Sequence, residues 1–136
     1  MVKPIMRDMM FLSQPSLSAD KSDQPIVTDL VDTLNAHLDG CVGMAANMIG
    51  VHKRIIVVRM GPLSVPMINP EIVSKSGAYE TEEGCLSLFG VRKCTRYRDI
   101  EVSYLDSAFL PRRQKYSGWI AQIIQHEIDH CNGVII

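Results

Sequence analysis

The sequence predicts an α+β protein in which a mostly antiparallel sheet packs around a C-terminal helix, with one further helix near the N-terminus. Two observations are helical: apolar residues recur at helical spacing over residues 25–38 and again over 117–131. The third is the series of short β-branched or alternating runs between them, bounded by Gly, Pro and Ser. With 136 residues, 46% of them hydrophobic, the chain is sized for a single domain, residues 1–136, built on one core.

Taken in order, Asp23 or a neighbour caps the first helix, Pro25 sits in its first turn, and Val27, Leu30, Val31, Leu34 and Leu38 form its apolar stripe until Gly40 stops it. Residues 41–50 are small and apolar with glycine at 43 and 50, which predicts a tight loop lying close to another backbone. Residues 54–60, 66–69, 71–74, 78–82 and 100–105 read as strands. After the basic, Pro-containing segment 110–115, Ile120, Ile123, Ile124 and Ile128 mark the second helix, with Gly133 beyond its end.

Charge and hydropathy exclude several function classes. The balance of 14 basic against 15 acidic residues gives a net charge of −1 and no global reason to bind nucleic acid or an anionic membrane. The longest aliphatic stretch, residues 55–58, is far short of the roughly 20 residues that cross a bilayer. Lys3, Arg7 and Asp8 interrupt the N-terminal apolar positions, unlike a secretory signal, so a cytoplasmic location is expected. In that setting Cys41, Cys85, Cys94 and Cys131 read as thiols or metal ligands rather than disulfides. The basic run 92–98 and the cluster Arg112, Arg113 and Lys115 read as solvated surface, compatible with no more than transient proximity to ribosomal RNA. Nothing in the pattern sets an oligomeric state.

The strongest chemical signal is His126-Glu127-Ile128-Asp129-His130, an H-E-x-x-H sequence on the second helix. Residues four apart share a helical face, so both imidazoles reach one ion while Glu127 flanks it as a base. A third protein ligand is needed, and the families that supply it downstream are excluded by Ile136, which stands where the extended motif requires histidine. The upstream candidates are Cys41, Cys85, Cys94, His37, His52 and several carboxylates, among which thiolate is the softest donor. Cys131 follows His130 directly and points about 100° away on a helix, which argues against it as a fourth ligand.

Cys85 lies in Glu82-Glu83-Gly84-Cys85-Leu86-Ser87, where Gly84 frees the backbone. E-G-C-L-S followed about forty residues later by Q-H-E-x-D-H resembles the paired signature of the peptide deformylases. Their G-x-G-L-A-A-x-Q-[VI]-G loop is matched by residues 41–50, with Cys41 at the first glycine and Met48 at the glutamine.

The resemblance implies that Cys85, His126 and His130 hold one divalent transition metal, with water in a fourth, open position. The metal would be ferrous iron, with zinc, nickel or cobalt able to replace it. It implies a reaction as well: removal of the formyl group from formyl-methionyl peptides at nascent-chain N-termini. Glu127 would be the general acid and base, and the backbone N–H of Leu86 and the side chain at position 48 would form the oxyanion hole. Methionine donates no hydrogen bond, so Met48 removes one of these donors, a loss that ordinarily costs about a hundredfold to a thousandfold in rate. Asn47, one position early, is the nearest amide that a shift of register would bring in.

Other positions carry two readings each. Glu83 reads as an acceptor that orients a ligand or as an exposed strand carboxylate, and Gln125 as a hydrogen-bonding support for the loop. Arg92 resembles the family's arginine near the substrate, yet Arg92, Lys93, Arg96 and Arg98 also read as one solvated basic face. Asp129 reads as a carboxylate behind the ligands or a cap. Cys41 and Cys94 read as buried small apolar residues, and His37 and His52 as surface or core histidines. Val42, Gly43, Met44, Trp119 and Ile123 are expected to line the pocket for the methionine side chain. The competing functions are a non-catalytic relative that binds metal and peptide, and a zinc peptidase of another family with a different third ligand.

Overall fold

The computed structural model describes residues 1–85 and 88–134, with the backbone alone at positions 88 and 89. A one-turn helix, α1 (Met9–Leu12), precedes α2 (Gln24–Asn35). Five strands follow, β1 (Gly43–Ala45), β2 (Ile55–Met60), β3 (Leu63–Cys85), β4 (Leu88–Leu105) and β5 (Pro111–Ser117), and then helix α3 (Gly118–Cys131). The strands form one antiparallel sheet in the order β1-β2-β3-β4-β5.

Alternation along β2 explains why the sheet has a helix on each side. Ile56 and Val58 join Met67, Val102, Ile124 and Ile128 in the layer against α3. Ile55 and Val57 face the other way, into a layer with Val27, Leu30 and Leu34 of α2. A strand buried on both faces must be aliphatic at every position, as the run Ile55 to Val58 is.

Several expectations are corrected. Residues 66–69, 71–74 and 78–82 belong to one strand, β3, whose pairing with β4 shifts between Ile68 and Glu71, Ile72 and Ser74, and Gly84 and Cys85. These bulges bend the long hairpin, and in sequence they look like strand ends. The loop at 41–50 contains β1, and the basic segment 110–115 lies largely within β5, an edge strand whose charges discourage pairing with another chain. The N-terminal half holds α1 besides the expected helix. That helix, α2, ends at Asn35 rather than Leu38.

The end of α3 is closed by its own backbone. Val134 N–H donates to Asp129 O at 2.9 Å and Gly133 N–H to His130 O at 3.1 Å, the paired bonds of a helix stop with Gly133 at φ 74°. Ser16 N–H donates to Cys131 O at 2.8 Å, so the N-terminal segment runs across this end. A Cβ at position 133 would fall 2.5 Å from Ser13 O. Gly133→Ala therefore combines backbone strain with a clash and is expected to cost about 1–3 kcal/mol. A thermal melt checks this, and an unchanged midpoint would contradict it.

Candidate active site

Helix α3 sets His126 and His130 one turn apart, with ring centroids 5.1 Å apart. Cys85, at the end of β3, brings Sγ to 3.2 Å from His130 Nε2. Ligand atoms of Cys85, His126 and His130 all lie within 4.8 Å of one another. Around an ion with metal–nitrogen and metal–sulfur distances of about 2.0 and 2.3 Å, tetrahedral neighbours stand roughly 3.5 Å apart, so the cluster is of a size to hold one. One thiolate and two imidazoles form a donor set suited to a transition metal.

A buried carboxylate orients the first histidine. His126 Nδ1 lies 2.8 Å from Glu83 Oε1, which leaves Nε2 for the cluster. Arg96 fills much of the remaining capacity of Glu83, with Nη2 at 2.7 Å from Oε1 and Nε at 3.0 Å from Oε2, while Nη1 reaches Asp129 Oδ2 at 2.7 Å. Gln122 Nε2 donates to Glu83 Oε2 at 2.8 Å. Burial by itself would raise the Glu83 carboxyl, but the bonds from His126, Arg96 and Gln122 outweigh it and hold the group well below the ordinary carboxylate range. Burial likewise opposes the Arg96 charge, and its bonds to Glu83 and Asp129 overcome that, raising its pKa.

Glu127 occupies a different environment. It is 4% exposed, Oε1 has no hydrogen-bond partner among the described residues, and burial pushes its carboxyl up to about 7 against the pull of His126. Burial, with the positive charges of His126 and Arg96, lowers His130 to about 3, so this ring stays neutral and keeps a lone pair to offer.

A cavity of about 250 Å³ opens beside these groups, lined by Cys41, Val42, Gly43 and Met48 on one side and Trp119, Gln122 and Ile123 on another. Close approach of β1 to α3 requires glycine at position 43, where a Cβ would sit 2.6 Å from Ile123 Cγ2 and 3.0 Å from Glu127 Oε2.

Val42, Gly43, Trp119 and Ile123 line the cavity, whereas Met44 and Arg92 do not. Met44 is fully buried on the α2 side of the sheet, because alternation along β1 turns it away from α3. Arg92 pairs across the ladder with Glu83, and the arginine that reaches the site is Arg96, 4% exposed and no part of a solvated face. Met48 lines the cavity with its sulfur 3.4 Å from the Ala45 N–H, which it accepts. Asn47 does not stand in for it: its Nδ2 donates to His130 O at 3.0 Å and Leu12 O at 3.4 Å, away from the cavity. Leu86 lies outside the described residues.

Gln125 supports a strand rather than the loop, donating to Tyr97 O and accepting from Tyr97 N–H, both at 2.8 Å. Cys131 is buried in the core between sheet and α3, while Cys41 and Cys94 are half-buried rather than buried. His37 bonds Thr33 O, and His52 stacks on Phe11 and bonds its carbonyl. Gln122 escaped the sequence reading although its signal was present, since 122, 126 and 130 form one stripe at helical spacing.

An H-E-x-x-H helix buried against an antiparallel sheet, with a thiol and an open cavity beside its histidines, defines a hydrolase of the metallo-amidase kind. The family model for polypeptide deformylase matches residues 4–136, and the chain belongs to the peptide deformylase family, whose members are metalloenzymes. It is 57% identical over 136 residues to the peptide deformylase of Clostridium beijerinckii, covering 100% of both chains. Among solved structures, a peptide deformylase from Legionella pneumophila superposes with a TM-score of 0.89 at 33% identity, over 99% of this chain and 83% of that one. A Met-Ala-Ser-bound class I type b peptide deformylase from Acinetobacter baumannii gives 0.87 at 26% identity, over 99% and 97%. Among the described residues, no helix is long and apolar enough to cross a membrane.

Proposed function

We propose that the chain hydrolyses the formyl group from formyl-methionyl peptides, releasing formate and a free amine, with Cys85, His126 and His130 holding one divalent metal. The observation that carries this reading is the convergence of those three donors beside Glu127 at the wall of an open cavity. Ferrous iron is the expected ion in the cell, and zinc, nickel or cobalt fit the same donors. When bound, the metal supplies Lewis acidity toward the formyl carbonyl and toward a water.

The chain's own groups do the rest. Glu127 Oε1, without another partner among the described residues, takes the proton of the attacking water and returns it to the departing amine, and a pKa near 7 suits both halves of that transfer. Glu83 holds the His126 ring at Nδ1. Val42, Trp119 and Ile123 give the methionine side chain an apolar wall. A methionine-first tripeptide occupies the Acinetobacter baumannii relative, which favours such a substrate here. The partner is then the N-terminus of nascent chains, met in the cytoplasm near ribosomes without a dedicated nucleic-acid surface.

Oxyanion stabilisation is the weak point. Of the two donors that the family resemblance implies, the one at position 48 is a methionine and contributes none, so turnover is expected to be slow. Met48→Gln offers an oxygen to the Ala45 N–H in place of the sulfur and leaves an amide N–H for the cavity. It is expected to raise deformylation by roughly tenfold to a hundredfold. The test is deformylation of a formyl-methionyl peptide by the protein loaded anaerobically with ferrous iron or nickel to one metal per chain, with and without the substitution. No gain from Met48→Gln would remove the oxyanion argument. No turnover by either protein would instead establish the non-catalytic, metal- and peptide-binding reading.

A further inference from the structure

Gln122 joins two features that are otherwise separate. It lines the cavity, and it stands one turn before His126 on the same stripe of α3. Its amide is fixed at both ends: Nε2 donates to Glu83 Oε2 at 2.8 Å, and Oε1 accepts from the Tyr79 hydroxyl at 3.4 Å. The Glu83 bond tells the two ends of the amide apart, since a reversed amide would turn an oxygen toward the carboxylate; the amide oxygen then faces Tyr79, whose hydroxyl donates to it.

The carboxylate of Glu83 has unequal oxygens. Oε1 meets His126 Nδ1 at 2.8 Å and Arg96 Nη2 at 2.7 Å and shares Arg96 Nε, at 3.1 Å, with Oε2; Oε2 meets that same Nε at 3.0 Å and Gln122. Among the described residues, removing Gln122 leaves Oε2 with a share of one arginine N–H, so the plane of the carboxylate is free to turn toward Arg96. An sp² oxygen accepts best near its own plane, and such a turn misaligns Oε1 with His126 Nδ1.

We propose that Gln122, held by Tyr79, is a positioning residue: it fixes the plane of the Glu83 carboxylate and through it the His126 ring, and it does so from within the wall of the substrate cavity. The inference rests on the reading of Cys85, His126 and His130 as a metal centre. Changes to groups behind a ligand typically alter metal retention by about tenfold to a hundredfold. Gln122 should act near the lower end of that range, because Arg96 still holds Glu83 when Gln122 is gone.

The experiment compares wild type, Gln122→Met and Tyr79→Phe, each loaded with nickel, for the half-life of the metal against excess chelator. Melting midpoint and the kcat and KM of formyl-methionyl peptide hydrolysis are measured beside it. Gln122→Met keeps the length of the side chain and loses the donor. It is expected to shorten the half-life roughly tenfold and lower kcat, with KM held and the midpoint little changed. Tyr79→Phe, whose side chain is outside the cavity wall, is expected to do the same to a smaller degree. Wild-type retention in both variants would overturn the proposal. So would a rise in KM with kcat intact, which would make Gln122 a wall residue only, or a loss of metal that merely follows a fall in the midpoint. A wild-type chain that takes up no nickel would instead overturn the metal centre itself. If Gln122→Met does not fold, Tyr79→Phe decides the matter alone.

Discussion

Glu127→Ala is expected to reduce deformylation by about 10³- to 10⁴-fold while the protein still binds one metal per chain. The carboxyl is buried, flanks His126 in sequence, and has one oxygen without a partner among the described residues, so on the proposed reading the mutation removes the proton carrier and leaves Cys85, His126 and His130 in place. Glu127→Gln keeps the volume and supplies no base, so it should lose activity equally. Single-turnover rates with metal content measured on the same samples check this. Substantial turnover by either variant would transfer the proton role to another group.

Arg96→Met should have the largest effect on stability, about 3–5 kcal/mol, because it leaves the side chains of Glu83 and Asp129, 8% and 26% exposed, without their shared cation. Arg96→Lys should recover only part of the loss, since one ammonium cannot span two carboxylates as the guanidinium fork does. Denaturant unfolding followed by circular dichroism measures the difference. A midpoint for Arg96→Met equal to wild type would mean that Glu83 and Asp129 accommodate each other without it. Glu83 also sets a direction of pH dependence: its folded-state pKa is depressed, so its contribution is full above the ordinary carboxylate range and is lost progressively as pH falls from that range toward the depressed value.

Legibility in the sequence follows how local each signal is. The two longer helices show because each buries one stripe, and β2 shows because it is buried on both faces. The continuity of β3 does not show: Pro70 and Gly77 sit beside bulges and a solvent-facing stretch, and these are the residues that also end strands. H-E-x-x-H and E-G-C-L-S are short-range patterns and bring three donors together as read. Arg96 is harder, because basic residues on an exposed hairpin look alike until the bend carries one of them over α3. Met44 and Met48 illustrate the same limit: both are buried in the core layer on the α2 side, and only Met48 also reaches the cavity wall.

The strap of N-terminal backbone across the end of α3 has a consequence for the order of assembly. Ser16 bonds Cys131, and the Asn47 amide ties Leu12 to His130, so contacts that close the helix join parts of the chain more than a hundred residues apart. Such contacts form late, since the loop they close must first lose its freedom. Two of the three clustered donor side chains, His126 and His130, reside on that helix, downstream of every strand. A copy still under synthesis therefore cannot bring these three donors together until residue 130 has emerged, however early the hairpin that carries Cys85 has formed.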